Sequence, residues 1–549
     1  MNSALRPKFN PTLTGGQAEQ EASLPCGWVS LIRCNASFPP HLFEPAALQL
    51  IHHPEYNSTL ILRSETISDS TESAAFAGAA PIFEGSRPTR QVHRRLLPRR
   101  PGRDSGLEQI CTLFASVNAE DPIPHTLVLT PLVKPGEELP YYHPAVHHLA
   151  FRYVTSPTSS ENTLRIDVLP LPDTPTDPSS RLYRTALALL ETVHRYGWGA
   201  LTNYQKRVAH DNVLQRETYQ DLYLVMRERH KHLVGTWQEK TDPRKHVFEV
   251  SRRELDIGIA TFLMLLWKEM FPPSPEDLPV ATGDTPWRSW GRPPGGFVDL
   301  GCGNGLLVHI LTSEGYAGYG IDVRARQSWA HYPASTQAAL RVHALDPTKL
   351  PPSPTSSSPH PSLSSSTISK DNPENVDEDP YLRPGTFIIG NHADELTPWV
   401  PVLATLHHAS GYLSIPCCPW SFDERFQRNA AAPFPEPSSS EHASDDSEPA
   451  ASLEADESDF LARLNLGIGS ENSAYAAYRT WLARLSRRCG WHVECEMLRI
   501  PSTRNWSIVG RQREGDEEDA YRRAEAIVLD VRRRGAFKTR TPEGKAGDH

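Results

Sequence analysis

Residues 297–305 read FVDLGCGNG: an apolar run carrying Asp299, then glycines at 301, 303 and 305 separated by Cys302 and Asn304. Glycine accepts a positive φ without penalty and lets a backbone pass close beneath a ligand. The free N–H groups opening a following helix point at whatever lies there. A dinucleotide site would show G-x-G-x-x-G. The spacing D-x-G-x-G-x-G instead suits a ligand with a free amino group and no pyrophosphate, the methionine moiety of S-adenosylmethionine. Methyl transfer is the chemistry this implies, with a chance glycine-rich turn as the plain alternative. Downstream, GYGIDV ends on an acid, Asp322, placed to accept hydrogen bonds from ribose hydroxyls. Asp346, in HALDP, is expected to meet an adenine amino group, although a surface turn explains it nearly as well.

A second constellation is NHADELTPW, residues 391–399. Asn391 closes a strand and is expected at the cofactor. His392, Asp394 and Glu395 follow, where a substrate hydroxyl could be oriented or deprotonated. The competing reading is a helix start, with Thr397 capping before Pro398 and the acids favouring the dipole. Residues 415–426 read IPCCPWSFDERF. Packing is the expected role of Cys417 and Cys418; Trp420 and Phe422 would stack a base or fill the core. Two basic clusters remain. YQKRVAHD groups Lys206, Arg207, His210 and Asp211; RIPSTRNW puts Arg499 and Arg504 on a turn, where arginine suits phosphate clamping. A solvated charged face is the alternative for both.

The elements that position these residues alternate. Apolar periodicity predicts helices over 257–271, 306–311, 400–408 and 473–489. Strands are expected over 297–301, 318–323, 341–345, 386–391 and 411–415. Strands separated by helices imply a largely parallel sheet covered on both faces. The last pair, 491–500 and 505–510, has too short a connection to be anything but antiparallel. Upstream, 126–132, 149–154 and 164–169 read as strands, and 181–196 and 213–237 as helices, the latter with a basic side formed by Arg216, Arg227, Arg229 and Lys231.

Composition sets the limits. With 50 prolines in 549 residues, 38% hydrophobic content and several Ser/Pro/acid stretches, part of the chain is expected not to fold. The net charge of −10 argues against the whole protein being a polyanion binder, so any nucleic-acid surface must be local. The basic, proline-containing run 87–103 reads as a solvated linker or localisation tag as readily as an RNA contact. The eight cysteines form no CxxC pair and no zinc-finger spacing, so no metal is expected. The longest apolar run, 257–267, is too short for a bilayer, which needs about 20 residues. The N-terminus lacks an apolar signal core, so no membrane association is expected.

Taken together, the segments YQKRVAHD, DIGIATFLMLLW, FVDLGCGNGLLVHILTSEGYAGYGIDVRARQSW, NHADELTPWVPVLA, IPCCPWSFDERF and RIPSTRNWSIVGR resemble the tRNA (uracil-2′-O-)-methyltransferases, which act on uridine 44 of serine tRNA. The glycine loop alone is common to all methyltransferases; its combination with GIDVRARQSW, NHADELTPW and RIPSTRNW is far more specific. The resemblance implies an S-adenosylmethionine donor, a ribose 2′-hydroxyl acceptor, serine tRNA as partner and a cytoplasmic setting. It implies Asp299, Gly301, Gly303 and Asp322 at the cofactor. One departure stands out: residues 250–255 interrupt a VFEDI pattern. The expected architecture is α/β, a Rossmann-like class I methyltransferase sheet with a C-terminal antiparallel hairpin and a mixed N-terminal module. Residues 1–115 are expected to be poorly ordered and 116–250 to form a tRNA-contacting module. The catalytic domain is expected over 251–511, with disordered insertions at 350–382 and 430–468, followed by a charged tail, 512–549. A methyltransferase for another substrate and an inactive tRNA-binding relative are the rival readings.

Overall fold

Phe297, Val298 and Leu300 are each at most 1% exposed, as expected of a parallel strand covered on both faces. This strand, β9 (Phe297–Leu300), is central in a seven-stranded sheet. The computed structural model describes residues 7–14, 25–72, 76, 81–118, 123–134, 136–155, 161–204, 210–233, 246–273, 285–351, 381–422, 424–428, 434, 450–466, 473–535 and 537–538. The chain divides into two units, Met1–Gln205 and Lys206–His549.

The second unit holds the sheet. Its other strands are β10 (Gly318–Asp322), β11 (Leu340–Val342), β12 (Phe387–Asn391), β13 (Gly411–Ile415), β14 (Trp491–Met497) and β15 (Trp506–Arg513). Their order is β11-β10-β9-β12-β13-β15-β14. The first five are parallel, and β15 runs antiparallel to both β13 and β14. Asp299 pairs with Gly320 on one side and Ile389 on the other, so the carboxyl ends of β10, β9 and β12 lie abreast. Where strand order reverses about a central strand, such ends open onto a crevice.

Helices Leu306–Ser313 and His246–Met270 pack against each other in one core cluster, and Trp399–Leu406 and Ala474–Arg488 share another. Residues 250–255, the departure from the family pattern, continue the helix His246–Met270 without a break. The helix Arg216–Arg229 packs on that helix through buried Tyr219, Leu222 and Met226. It therefore belongs to the second unit, not to an N-terminal module ending at 250. Part of its basic side is occupied internally: Arg229 Nε lies 2.6 Å from the buried Glu314 carboxylate. A further expectation changes here. The helix Ala450–Arg463 lies inside the segment expected to be disordered, and Phe460 and Leu464 enter the core. Within the charged tail, the terminal helix Glu517–Arg534 is docked on the second unit. It buries Ala520, Ala524, Ile527, Val528 and Val531, and is capped by Asp516 at its start and by left-handed Gly535 at its end.

The first unit is an eight-stranded antiparallel sheet with order β1-β2-β8-β7-β6-β5-β4-β3, packed on helices Phe43–His52 and Arg181–Leu201. Its strands are β1 (Thr12–Leu13), β2 (Val29–Asn35), β3 (Ile61–Ser70), β4 (Ser86–Pro98), β5 (Leu107–Ser116), β6 (Thr126–Leu132), β7 (Val146–Val154) and β8 (Thr163–Pro170). Residues 1–115 thus supply five of the eight strands, contrary to the expectation of poor order. The basic run 87–103 is mostly β4. Arg94 is buried, donates to Gln109 Oε1 at 2.6 and 3.0 Å, and reaches the carbonyls of Leu50 and Ile51 near the end of helix Phe43–His52. Arg90 pairs with Asp69 at 2.7 Å and Arg95 with Glu108 at 2.6 Å. Residues 352–380 and most of 429–449 lie outside the described residues. Among the described residues no helix is long and apolar enough to cross a membrane.

Candidate active site

The glycine turn leaves β9 in an αL-rich conformation: φ is +71° at Gly301, +56° at Gly303 and +77° at Gly305. It folds back on β10, because the N–H groups of Gly301 and Cys302 both bond the Ile321 carbonyl, at 2.9 and 3.0 Å. Gly305 then begins the helix Leu306–Ser313. A side chain at Gly305 would meet both Leu340 methyls at 2.9 Å, so position 305 favours glycine on two counts. At Gly301 an added Cβ would find only the Ala393 Cα, at 3.9 Å; there the turn is open. Asn304 turns inward on the chain itself, its Oδ1 accepting the Leu306 N–H at 3.1 Å.

Three residues that the sequence did not single out lock this turn. Trp329 donates its indole N–H to the Gly303 carbonyl at 2.9 Å, while the Ser328 and Tyr332 hydroxyls donate to the Asn304 carbonyl at 2.8 and 3.1 Å. The signal was present in the RQSW segment of the family motif, but nothing local says what a tryptophan there holds.

Asp322, buried at the end of β10, accepts the Gly303 N–H at 3.0 Å and the Arg324 N–H at 3.3 Å. The Arg326 guanidinium lies 3.4 Å from it. Asp299 is 1% exposed beneath the turn. The third strand is shorter than expected: β11 stops at Val342, and the Asp346 carboxylate closes a local turn onto Thr348. His343, Ala344 and Leu345, just before it, line the cleft. Phe537 and Lys538, beyond the terminal helix, also line it and were missed because the tail reads as plain charged sequence.

Across the cleft from Asp322 stand His392, Asp394 and Glu395, all lining it. His392 and Asp394 are non-glycine residues at φ +56° and +46°. Such conformations cost of order 1–3 kcal/mol each and cluster at functional sites. The helix-cap alternative does not hold for Thr397, which is already helical at φ −52°, while Pro398 precedes the helix Trp399–Leu406. The Asp394 carboxylate instead accepts from the Cys417 thiol at 3.4 Å. Burial, then the charge of Asp394, pushes that thiol well above its ordinary range. Asn391 Oδ1 is buried and has no hydrogen-bond partner in the protein. A buried acceptor left open beside the glycine turn fits a ligand bearing an N–H donor, as the amino group of S-adenosylmethionine does.

The remaining expected residues are dispersed. Arg499 does not face the cleft: its guanidinium forms a two-point pair with Asp211 at 2.5 and 2.8 Å. Its neighbour Glu496 accepts the backbone N–H groups of Asp211, Asn212 and Val213 at 2.7–3.0 Å. His210 Nδ1 donates to the Met497 carbonyl at 2.6 Å. The 210–213 segment is therefore pinned to β14. Arg504 stacks on Tyr475 at 3.9 Å, and the Tyr475 hydroxyl donates to the Pro416 carbonyl at 2.7 Å, close to the cysteine pair. Trp420 carries Arg425 over its ring at 4.3 Å, whereas Phe422 is core. Lys206 and Arg207 lie outside the described residues.

Comparison with known proteins agrees with this anatomy. Residues 7–207 match the model "TRM44-like, N-terminal bet v1-like domain". Residues 213–284 and 287–347 match the model "Predicted AdoMet-dependent methyltransferase". The methyl donor is accordingly S-adenosylmethionine. A tRNA (uracil-O(2)-)-methyltransferase of Schizosaccharomyces pombe is 34% identical over 88% of this chain and 85% of its own length. One from Neurospora crassa is 34% identical over 92% and 89%, and one from Saccharomyces cerevisiae 30% identical over 88% and 87%. Likeness at this level across nearly the full length of each partner extends well beyond the glycine loop, and by it the chain belongs to the tRNA (uracil-O(2)-)-methyltransferase family.

Proposed function

We propose that this protein transfers a methyl group from S-adenosylmethionine to the ribose 2′-hydroxyl of uridine 44 in serine tRNA, in the cytoplasm. The observation that carries the reading is one cleft lined on one side by Gly301, Gly303 and Asp322 and on the other by Asp394 and Glu395. The parallel order β10-β9-β12-β13, closed by the β14–β15 hairpin, supports a Rossmann-like class I arrangement.

The bound donor supplies an electrophilic methyl on sulfur. Asp299, Gly301, Cys302, Gly303, Asn304, Gly305, Asp322 and Asn391 form the donor side, with Asp322 as acceptor for the ribose hydroxyls and Asn391 for the amino group. A ribose hydroxyl is a weak nucleophile at neutral pH, so alignment and proton removal set the rate. Asp394 orients the hydroxyl, and Glu395 beside it takes its proton. Arg504, set against Tyr475, and Trp420 are the residues of this region suited to neighbouring phosphate and base.

The test is incubation of purified protein with labelled S-adenosylmethionine and total tRNA from a strain lacking the enzyme, with mass-spectrometric mapping. A 2′-O-methyluridine at position 44 of serine tRNA is expected. No incorporation despite donor binding would overturn the substrate assignment.

A further inference from the structure

The two cysteines of IPCCPW close β13, and Asp394 stands just past the end of its parallel neighbour β12, with Asn391 paired to Ile415. Strand pairing thereby brings together residues that sequence spacing keeps apart. One sulfur each from Cys417 and Cys418 and one Asp394 carboxylate oxygen lie within 4.8 Å of one another. Both thiols are free and half-buried. Pro416 and Pro419 flank them, limiting the backbone freedom of the pair. Tyr475 fixes Pro416 from the helix Ala474–Arg488 through its 2.7 Å hydrogen bond.

We propose that Asp394, Cys417 and Cys418 form a binding site for a thiophilic divalent cation of the zinc class, held by two thiolates and one carboxylate oxygen. Two sulfur donors select against magnesium and calcium, which take oxygen ligands. Three protein ligands leave one position of a tetrahedral ion open, the pattern of catalytic rather than structural zinc. Ligation by thiolates releases the thiol protons. Affinity therefore rises with pH. This assignment is independent of which hydroxyl the enzyme methylates and is read without substrate.

The experiment uses full-length protein, reduced and stripped of metal with a chelator, titrated with Co²⁺ and then back-titrated with Zn²⁺. One equivalent of Co²⁺ is expected to give a thiolate-to-metal charge-transfer band and the intense ligand-field bands of a tetrahedral ion, both lost on adding Zn²⁺. The Cys417→Ser/Cys418→Ser variant is expected to lose the charge-transfer band. Asp394→Asn, at an exposed position, should keep it with at least tenfold weaker affinity. Cys26→Ser, an exposed thiol elsewhere, serves as control and should titrate like the natural protein. A titration with no charge-transfer band, or one unchanged in the double-cysteine variant, would overturn the proposal. Should the double variant fail to fold, undiminished affinity in Asp394→Asn would overturn the three-ligand site.

Discussion

The carboxylate of Asp322 accepts the backbone N–H of Gly303 at 3.0 Å, across the gap between the end of β10 and the turn that leaves β9. One acid thus serves both as support for the turn and as an acceptor facing the cleft. Arg326, 3.4 Å away, compensates its charge. Asp322→Asn retains an oxygen for Gly303 but loses the charge and one acceptor. Hydrogen bonds to charged groups contribute about 1.5–3 kcal/mol, so donor affinity should fall roughly ten- to hundredfold. Calorimetric titration with S-adenosylmethionine checks this, and an unchanged Kd would remove Asp322 from the donor site.

Gly305→Ala and Gly301→Ala should differ. Both force an L-residue to φ above +70°, but only at 305 does the new methyl collide, with Leu340 at 2.9 Å. The expected loss of stability at 305 is about 1–3 kcal/mol, larger than at 301. Thermal melts of the two variants side by side would show it; equal melting temperatures would contradict the packing described.

If Arg499 clamped a phosphate, releasing it by Asp211→Asn would tighten tRNA binding. Its two-point pair with Asp211 predicts otherwise. The partners are 31% and 25% exposed, so the pair contributes about 0.5–1 kcal/mol. Asp211→Asn and Arg499→Gln should each lower the melting temperature slightly, and the double variant no more than either alone. Filter binding of tRNA to Asp211→Asn at several salt concentrations is the deciding measurement, and tighter binding would restore the clamp.

In the first unit, burial lowers the pKa of His143 to about 4. Its Nδ1–H donates to the Pro144 carbonyl at 2.8 Å, and Nε2 accepts from Gln109 at 2.9 Å, an arrangement that needs the neutral ring. A histidine lowered on folding stabilises above its unfolded pKa, and that stability is lost as pH falls. Between pH ~6.5 and 4 this group removes about 3 kcal/mol from the first unit. The protection factors of the β5 and β7 amides against hydrogen exchange should fall over that window, and fall less in His143→Gln. A pH-independent rate of opening would contradict the buried neutral ring.

Phe537 packs edge-on against Trp399 at 5.8 Å and, with Lys538, lines the cleft. Ending the chain after Gly535 keeps the terminal helix and its cap. Donor affinity should nevertheless fall about three- to tenfold, since one aromatic wall contributes roughly 1 kcal/mol. A truncated protein that binds the donor as tightly as the full chain would exclude this segment from the site.

The β9 turn and its helix were legible because the signals are local: an apolar strand, glycines at fixed offsets, and a helix after them. In the first unit β6, β7, β8 and the helix Arg181–Leu201 were legible too, but the strands before them were not, because the apolar alternation of β4 is overwritten by arginines whose partners Asp69, Gln109 and Glu108 lie on neighbouring strands. Helix Ala450–Arg463 was hidden likewise, since acidic neighbours outweigh Phe460 in composition although that one ring reaches the core. The third strand ends three residues earlier than its pattern suggests, and Asp346 turns onto Thr348 beyond it. Arg499 with Asp211, and Cys417 with Asp394, are products of strand pairing, which no local spacing encodes.

The position of β9 in the sheet also bears on synthesis. One edge of β9 is covered by β12, which begins at Phe387, far downstream of Leu300. At about 5–20 residues per second on the ribosome, the nascent strand waits of the order of 10 s for that neighbour. During this interval it presents an open, largely apolar edge, the kind of template on which chains aggregate. Substitutions that weaken β12 will therefore lower the yield of soluble enzyme from the cell more than the specific activity of the molecules that reach the native state.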